Sequence, residues 1–168
     1  MLLFRGAPAL SSFRIERLLA AERCVAPAIR GIHAEYLHFV ELRRDLTPAE
    51  SVVLERLLDA DAGRASPEAP GQLLLTVPRP GTISPWSSKA TDIARVCGLD
   101  AIVRIERGRA WRIDSAAALA PATLAAVAAA LHDPMTEAVM TDAAEAAQLF
   151  ETHAPRPALD QRDPQELL

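Results

Sequence analysis

Apolar and polar positions along the first third of the chain separate short extended segments from helices. Residues 2–5 read as a strand, after which Gly6 and Pro8 turn the chain toward a helix capped at Ser11 or Ser12. In that helix Ile15, Leu18 and Leu19 recur at helical spacing. Residues 32–41 switch to a period of two: Ile32, Ala34, Tyr36, His38 and Val40 share one face, and His33, Glu35, Leu37, Phe39 and Glu41 share the other. Both faces mix apolar and polar side chains, which predicts a strand inside a sheet.

Thr47-Pro48-Ala49-Glu50 is a helix start, with threonine as cap, proline in the first turn and glutamate placed to return the capping-box bond. Val53, Leu54, Leu57 and Leu58 form the buried stripe of that helix. Ser66, Pro67 and Pro70 mark a loop over residues 63–71, and residues 72–77 are a β-rich run. Between 78 and 85, three prolines and Gly81 exclude any regular element. A helix is predicted from Ser87 or Ser88 to Gly98. Residues 101–106 and 110–114 read as a hairpin about Arg107-Gly108-Arg109. Pro121 opens an alanine-rich helix to about residue 131, which His132-Asp133-Pro134 interrupts before a further helical stretch toward Phe150.

These elements predict an α+β fold, with antiparallel sheet covered by helices. A strand–helix–strand recurrence before and after about residue 70 permits two similar halves. One domain over residues 1–150 is expected. Pro155, Pro157 and Pro164 among charges make residues 151–168 the start of a linker.

Composition narrows the functional classes. Half of the residues are hydrophobic and 24% are charged, which is a folding composition and not a disordered one. A net charge of -4 with no clustered basic run argues against nucleic acid as a partner. The opening MLLFRGAP has too short an apolar run for a signal peptide, and no stretch approaches the ~20 apolar residues that span a bilayer. The expected location is therefore the cytoplasm, with no membrane partner. Cys24 and Cys97 lie far apart without a Cys-x-x-Cys spacing, so neither a disulfide framework nor a zinc site is indicated.

No glycine-rich phosphate loop, dinucleotide fingerprint or nucleophile elbow occurs, and no catalytic residue is assigned. His33 and His38 are an odd number of residues apart in an extended segment, which sends them to opposite faces and favours ordinary surface or core histidines over metal ligands. Residues 78–94 are different. Thr82, Ser84, Ser87 and Ser88, the chain's single lysine Lys89 and the aromatic Trp86 crowd around a helix start. Free backbone N–H groups there favour an anion, helped by the helix dipole. The competing account is ordinary capping by Ser87 or Ser88, with Trp86 as a packing anchor.

The same segment, PRPGTISPWSSKATDIA, closely resembles a signature of the large, single-chain formylglycinamide ribonucleotide amidotransferases, also called phosphoribosylformylglycinamidine synthases. Arg5-Gly6-Ala7-Pro8-Ala9-Leu10-Ser11 followed by Phe13-Arg14 resembles that family's opening. So do Ala34-Glu35-Tyr36-Leu37-His38-Phe39 and Gln148-Leu149-Phe150 their counterparts, and the resemblance covers approximately residues 1–150. One departure is Pro134, where the family usually has arginine within Leu131-His132-Asp133-Pro134-Met135-Thr136-Glu137.

The resemblance implies an N-terminal, non-catalytic part of a ligase of purine biosynthesis that uses glutamine as amide donor. ATP and magnesium act in a synthetase domain, a cysteine nucleophile acts in a glutaminase domain, and both domains of the same longer chain are the implied partners. No cofactor is implied within these residues. The region itself is expected to resemble a fused pair of the small subunit of the multi-subunit enzyme, and to serve assembly, active-site closure and ammonia coupling. Thr82, Ser84, Trp86, Ser87, Ser88, Lys89, His132 and Asp133 are the candidates for proximity to substrate or interface. The alternative is a free-standing anion-binding regulatory module or a scaffold subunit.

Overall fold

The computed structural model describes residues 1–59 and 70–151. In chain order the elements are β1 (Leu2–Pro8), α1 (Ser12–Val25), β2 (Ile29–Leu42), α2 (Pro48–Leu57), β3 (Gln72–Pro78), α3 (Pro85–Val96), β4 (Ile102–Ser115), α4 (Pro121–Leu131), β5 (Glu137–Met140) and a 3₁₀ helix (Ala143–Phe150). The strands form one antiparallel sheet in the order β1-β2-β4-β3-β5, with helices packed on it, so the fold is α+β. Long β2 and β4 make its middle. Their pairing runs from Ile29 opposite Ser115 to Leu42 opposite Ile102 and is centred near Tyr36 opposite Arg109. About that centre β1–α1–β2 and β3–α3–β4 follow the same order, with β1 and β3 flanking the central pair.

Register and alternation together assign the faces. Ile32, Ala34, Tyr36, His38 and Val40 lie opposite Ile113, Trp111, Arg109, Arg107 and Ile105, and this face carries the α-helices. At one end Ile29, Ile32, Leu74, Trp111 and Ile113 pack against Val127, Ala128 and Leu131 of α4 and against Ile15, Leu18 and Leu19 of α1. At the other end Val40, Ile102 and Ile105 pack against Leu54 of α2 and Ala94 of α3. On the opposite face Leu37, Phe39, Leu75, Val77 and Ala110 are covered by Ala146 and Leu149 of the 3₁₀ helix. Each such leucine, isoleucine or phenylalanine contributes roughly 1.5–3 kcal/mol on full burial. Among the described residues no helix is long and apolar enough to cross a membrane.

The start of α2 is as its sequence predicts. Thr47 Oγ1 accepts from Glu50 N at 3.3 Å, and the Glu50 carboxylate accepts from Thr47 N at 2.8 Å. β2 is internal, as its mixed faces predict, although it begins earlier, at Ile29.

The predicted hairpin about Arg107-Gly108-Arg109 is not formed, because β4 runs straight through those residues. Gly108 serves close packing and not a turn. A Cβ at that position would lie 2.8 Å from the Thr76 carbonyl oxygen and 3.2 Å from the Phe39 ring. The helical stretch predicted between Pro134 and Phe150 forms only in its second part, as the 3₁₀ helix. Thr136 N and Glu137 N both donate to Asp133 O, and the chain then pairs with the open edge of β3 as β5 before entering the 3₁₀ helix. Likewise Gly6 does not end β1, which continues to Pro8. The predicted loop over residues 63–71 lies mostly outside the described residues, as does the predicted linker beyond Glu151.

Candidate functional site

After β3 the chain must return along the edge of β4 to begin α3, and its prolines narrow how it can do so. Arg79 N donates to Thr136 O at 3.1 Å. Thr82 donates to Arg79 O from both its N–H, at 3.1 Å, and its hydroxyl, at 2.6 Å. Gly81 supplies the left-handed residue of this turn, with φ of 81°. Ser84 is then extended and caps α3, its Oγ accepting from Ser87 N at 3.0 Å. The predicted start at Ser87 or Ser88 is thus one turn too late. Proline at the first helical position suits Pro85, and the serine before it takes the cap.

Ser84 is held from below by a buried carboxylate. Its hydroxyl donates to Glu106 Oε2 at 2.9 Å, and its N–H approaches Oε1 at 3.4 Å. Glu106 is 0% exposed. Arg104 compensates the charge, donating to Glu106 from Nε at 3.0 Å and also from Nη2, which reaches the Thr82 carbonyl as well. The same guanidinium lies 5.5 Å over the Phe150 ring. The positive end of α3 therefore faces an anion of the protein's own.

From the first turn of α3, Trp86 reaches the middle of the helix-bearing face. Arg107 stands 4.5 Å from the Trp86 ring centroid and 4.3 Å from that of Tyr36. His38, opposite Arg107 in the sheet, stacks on Trp86 with centroids 5.5 Å apart. On β1, Gly6 leaves the room His38 occupies: a Cβ there would lie 2.6 Å from His38 Cε1. His38 is 5% exposed, and its Nδ1 has no hydrogen-bond partner. Burial, with the positive charge of Arg107 added, lowers its pKa to about 4. Next along β4, Arg109 donates to the Glu137 carboxylate at 2.6 and 2.8 Å.

This burial makes stability depend on pH. An unfolded histidine takes up a proton below about pH 6.5, whereas folded His38 does so only near 4, so the unfolded chain holds more protons between those values. The stabilisation is complete above about pH 6.5 and is lost as pH falls toward 4, by on the order of 3 kcal/mol. Buried Glu22, its pKa raised by desolvation, has the opposite sign: its contribution is present at low pH and fades as pH rises through its folded value. Urea unfolding at pH 7 and pH 4.5 should therefore be compared between the wild type and His38→Gln. Equal pH dependence in the two would show that His38 does not carry it.

The remaining sequence candidates fall into two groups. Ser88 and Lys89 are exposed on α3, whereas Ser87 is buried with its Oγ unpartnered. His132 ends α4 with Nδ1 2.6 Å from Ala128 O. The Asp133 carboxylate accepts from Met135 N at 2.8 Å and from the Thr136 hydroxyl at 3.2 Å, shaping the turn before β5. Pro134 removes none of the donors this turn uses. Asp133 N donates to Glu137 Oε2 at 3.0 Å, and Glu137 in turn binds Arg109, so this second group reaches the central face through one ion pair. His33 and His38 do take opposite faces of β2, exposed and buried respectively.

Arg104, Glu106, Arg107 and Arg109 were not anticipated. A hairpin placed at residues 107–109 scatters them, while a continuous strand puts Ile105, Arg107, Arg109 and Trp111 on one face by period two. Among the described residues no group of three or more His, Cys, Asp or Glu side chains is placed to hold a metal ion. The family model described as formylglycinamide ribonucleotide amidotransferase N-terminal matches residues 35–150 of the chain, a span that runs from within β2 to the end of the 3₁₀ helix.

Proposed function

Because the chain belongs to the formylglycinamide ribonucleotide amidotransferase N-terminal family, we propose that it is the non-catalytic N-terminal domain of a phosphoribosylformylglycinamidine synthase. It acts in the cytoplasm, beside synthetase and glutaminase domains that use ATP with magnesium and glutamine to convert formylglycinamide ribonucleotide to its amidine. Its own part is assembly, active-site closure and coupling of ammonia delivery. The like order of β1–α1–β2 and β3–α3–β4 supports descent from a fused pair of small subunits.

The observation that carries this reading is the anchoring of the segment around the start of α3. Glu106, Arg104 and the Trp86 stack hold it in place, while Ser88 and Lys89 remain exposed. A surface already ordered before docking loses little conformational entropy when it meets a neighbouring domain. Lys89 adds a compact positive charge suited to a phosphorylated substrate or nucleotide there.

In an enzyme that includes the synthetase domain, Lys89→Ala should lower amidotransferase turnover about tenfold, equivalent to roughly 1.4 kcal/mol of transition-state stabilisation. Its melting temperature should stay that of the wild type, and glutamine hydrolysis should become uncoupled from product formation. Steady-state kinetics beside thermal melting decide it. Wild-type turnover, or a loss fully accounted for by unfolding, refutes the role.

A further inference from the structure

We propose that Arg107, held beside Tyr36 and Trp86 on the helix-bearing face, is a binding site for a small oxyanion carrying a phosphate or carboxylate group. The comparison with its neighbours points there. Arg5 pairs with Glu35, Arg104 with Glu106 and Arg109 with Glu137, so the other arginines of this part of the sheet have carboxylate partners. Among the described residues no carboxylate pairs with Arg107, although it is half-buried and partly desolvated.

Tyr36 and Trp86 flank the guanidinium carbon, 4.3 and 4.5 Å from their ring centroids, and among the described residues no acceptor takes a hydrogen bond from Arg107. An anion that meets a partly desolvated cation gains more than it would from one fully in water. The flanking rings also restrict where the guanidinium can move, so a bidentate partner meets a fork that loses little freedom on binding. His38, in the same stack, keeps a buried and unpartnered Nδ1. Arg109 on the same face adds positive potential, although its Nη2 donates to Glu137. Recognition here uses β2, β4 and α3 of this chain alone, so it stands apart from the domain role proposed above.

The test is titration of the 168-residue chain with inorganic phosphate and, separately, with acetate, at constant ionic strength set by sodium chloride. Arginine Nε resonances are followed by ¹⁵N NMR. The expected result is a saturable shift of the Arg107 signal with at least one of the two ions, and the tighter one identifies the ligand as phosphate or carboxylate. Arg107→Lys, which keeps the charge but loses the fork, should bind at least tenfold more weakly when followed at the neighbouring Arg109 Nε and at backbone amides of β4, and binding as tight as the wild type's would overturn the proposal. Arg95→Gln, on the exposed last turn of α3, should bind as the wild type does. No saturable shift in the folded wild-type chain overturns the proposal whatever the variants do, and so does equal weakening in Arg107→Lys and Arg95→Gln.

Discussion

Glu106→Ala should destabilise the chain by about 3–5 kcal/mol, the range seen when one partner of a buried ion pair is removed. The carboxylate is fully buried and receives Arg104, the Ser84 hydroxyl and the Ser84 N–H. Its loss leaves a guanidinium, with only 14% of its side chain exposed, facing a void beside the Thr82 carbonyl. The damage should spread along the chain, since the same carboxylate fixes the cap of α3. Amide exchange at Ser84 and Ser87 should accelerate before global unfolding begins. Glu106→Gln keeps the shape and one acceptor and should lose markedly less. Urea denaturation of the three proteins measures this, and a loss under about 1 kcal/mol for the alanine variant would mean that the pair is not compensated as the geometry indicates.

Trp111→Ala should be comparably severe, again about 3–5 kcal/mol, through the cavity it opens in the core beneath α1 and α4. Trp111 is 2% exposed among Ile32, Leu74, Ile113 and Val127, and its indole N–H donates to the buried Thr76 hydroxyl at 3.0 Å. Trp111→Phe separates the two contributions. It refills most of the volume but orphans Thr76, and should cost about 1–3 kcal/mol. If phenylalanine proved as damaging as alanine, the hydrogen bond and not the packing would dominate.

The sequence was most legible where local chemistry decides the outcome. Thr47 and Glu50 announce their helix with a reciprocal cap that needs no tertiary contact, and the period of two over residues 32–41 identifies an internal strand. It was least legible where a distant strand decides. Gly108 flanked by two arginines has the local signature of a turn, yet its glycine is required by the Thr76 carbonyl and Phe39, which belong to other strands. The four residues of β5 follow from the vacant edge of β3, which no local pattern reports. The candidate site divides in the same way. Ser84, Trp86 and Lys89 are visible as a cluster within one segment. Arg107 meets Tyr36 and Trp86, and Glu106 meets Ser84, only through register and loop path.

The central pairing of β2 with β4 also governs how quickly this chain can reach its structure. It joins residues as remote as Leu42 with Ile102 and Ile29 with Ser115, whereas β1–β2 and β3–β4 each close over a single helix. Closing the larger loop costs chain entropy before any of those long-range contacts forms. Each half can gather its own strand pair early, but the seam between the halves must wait for both. Substitutions along that seam, at Tyr36, His38, Arg107 or Arg109, should therefore act mainly on the folding rate if the seam forms in the transition state, and mainly on the unfolding rate if it closes afterwards.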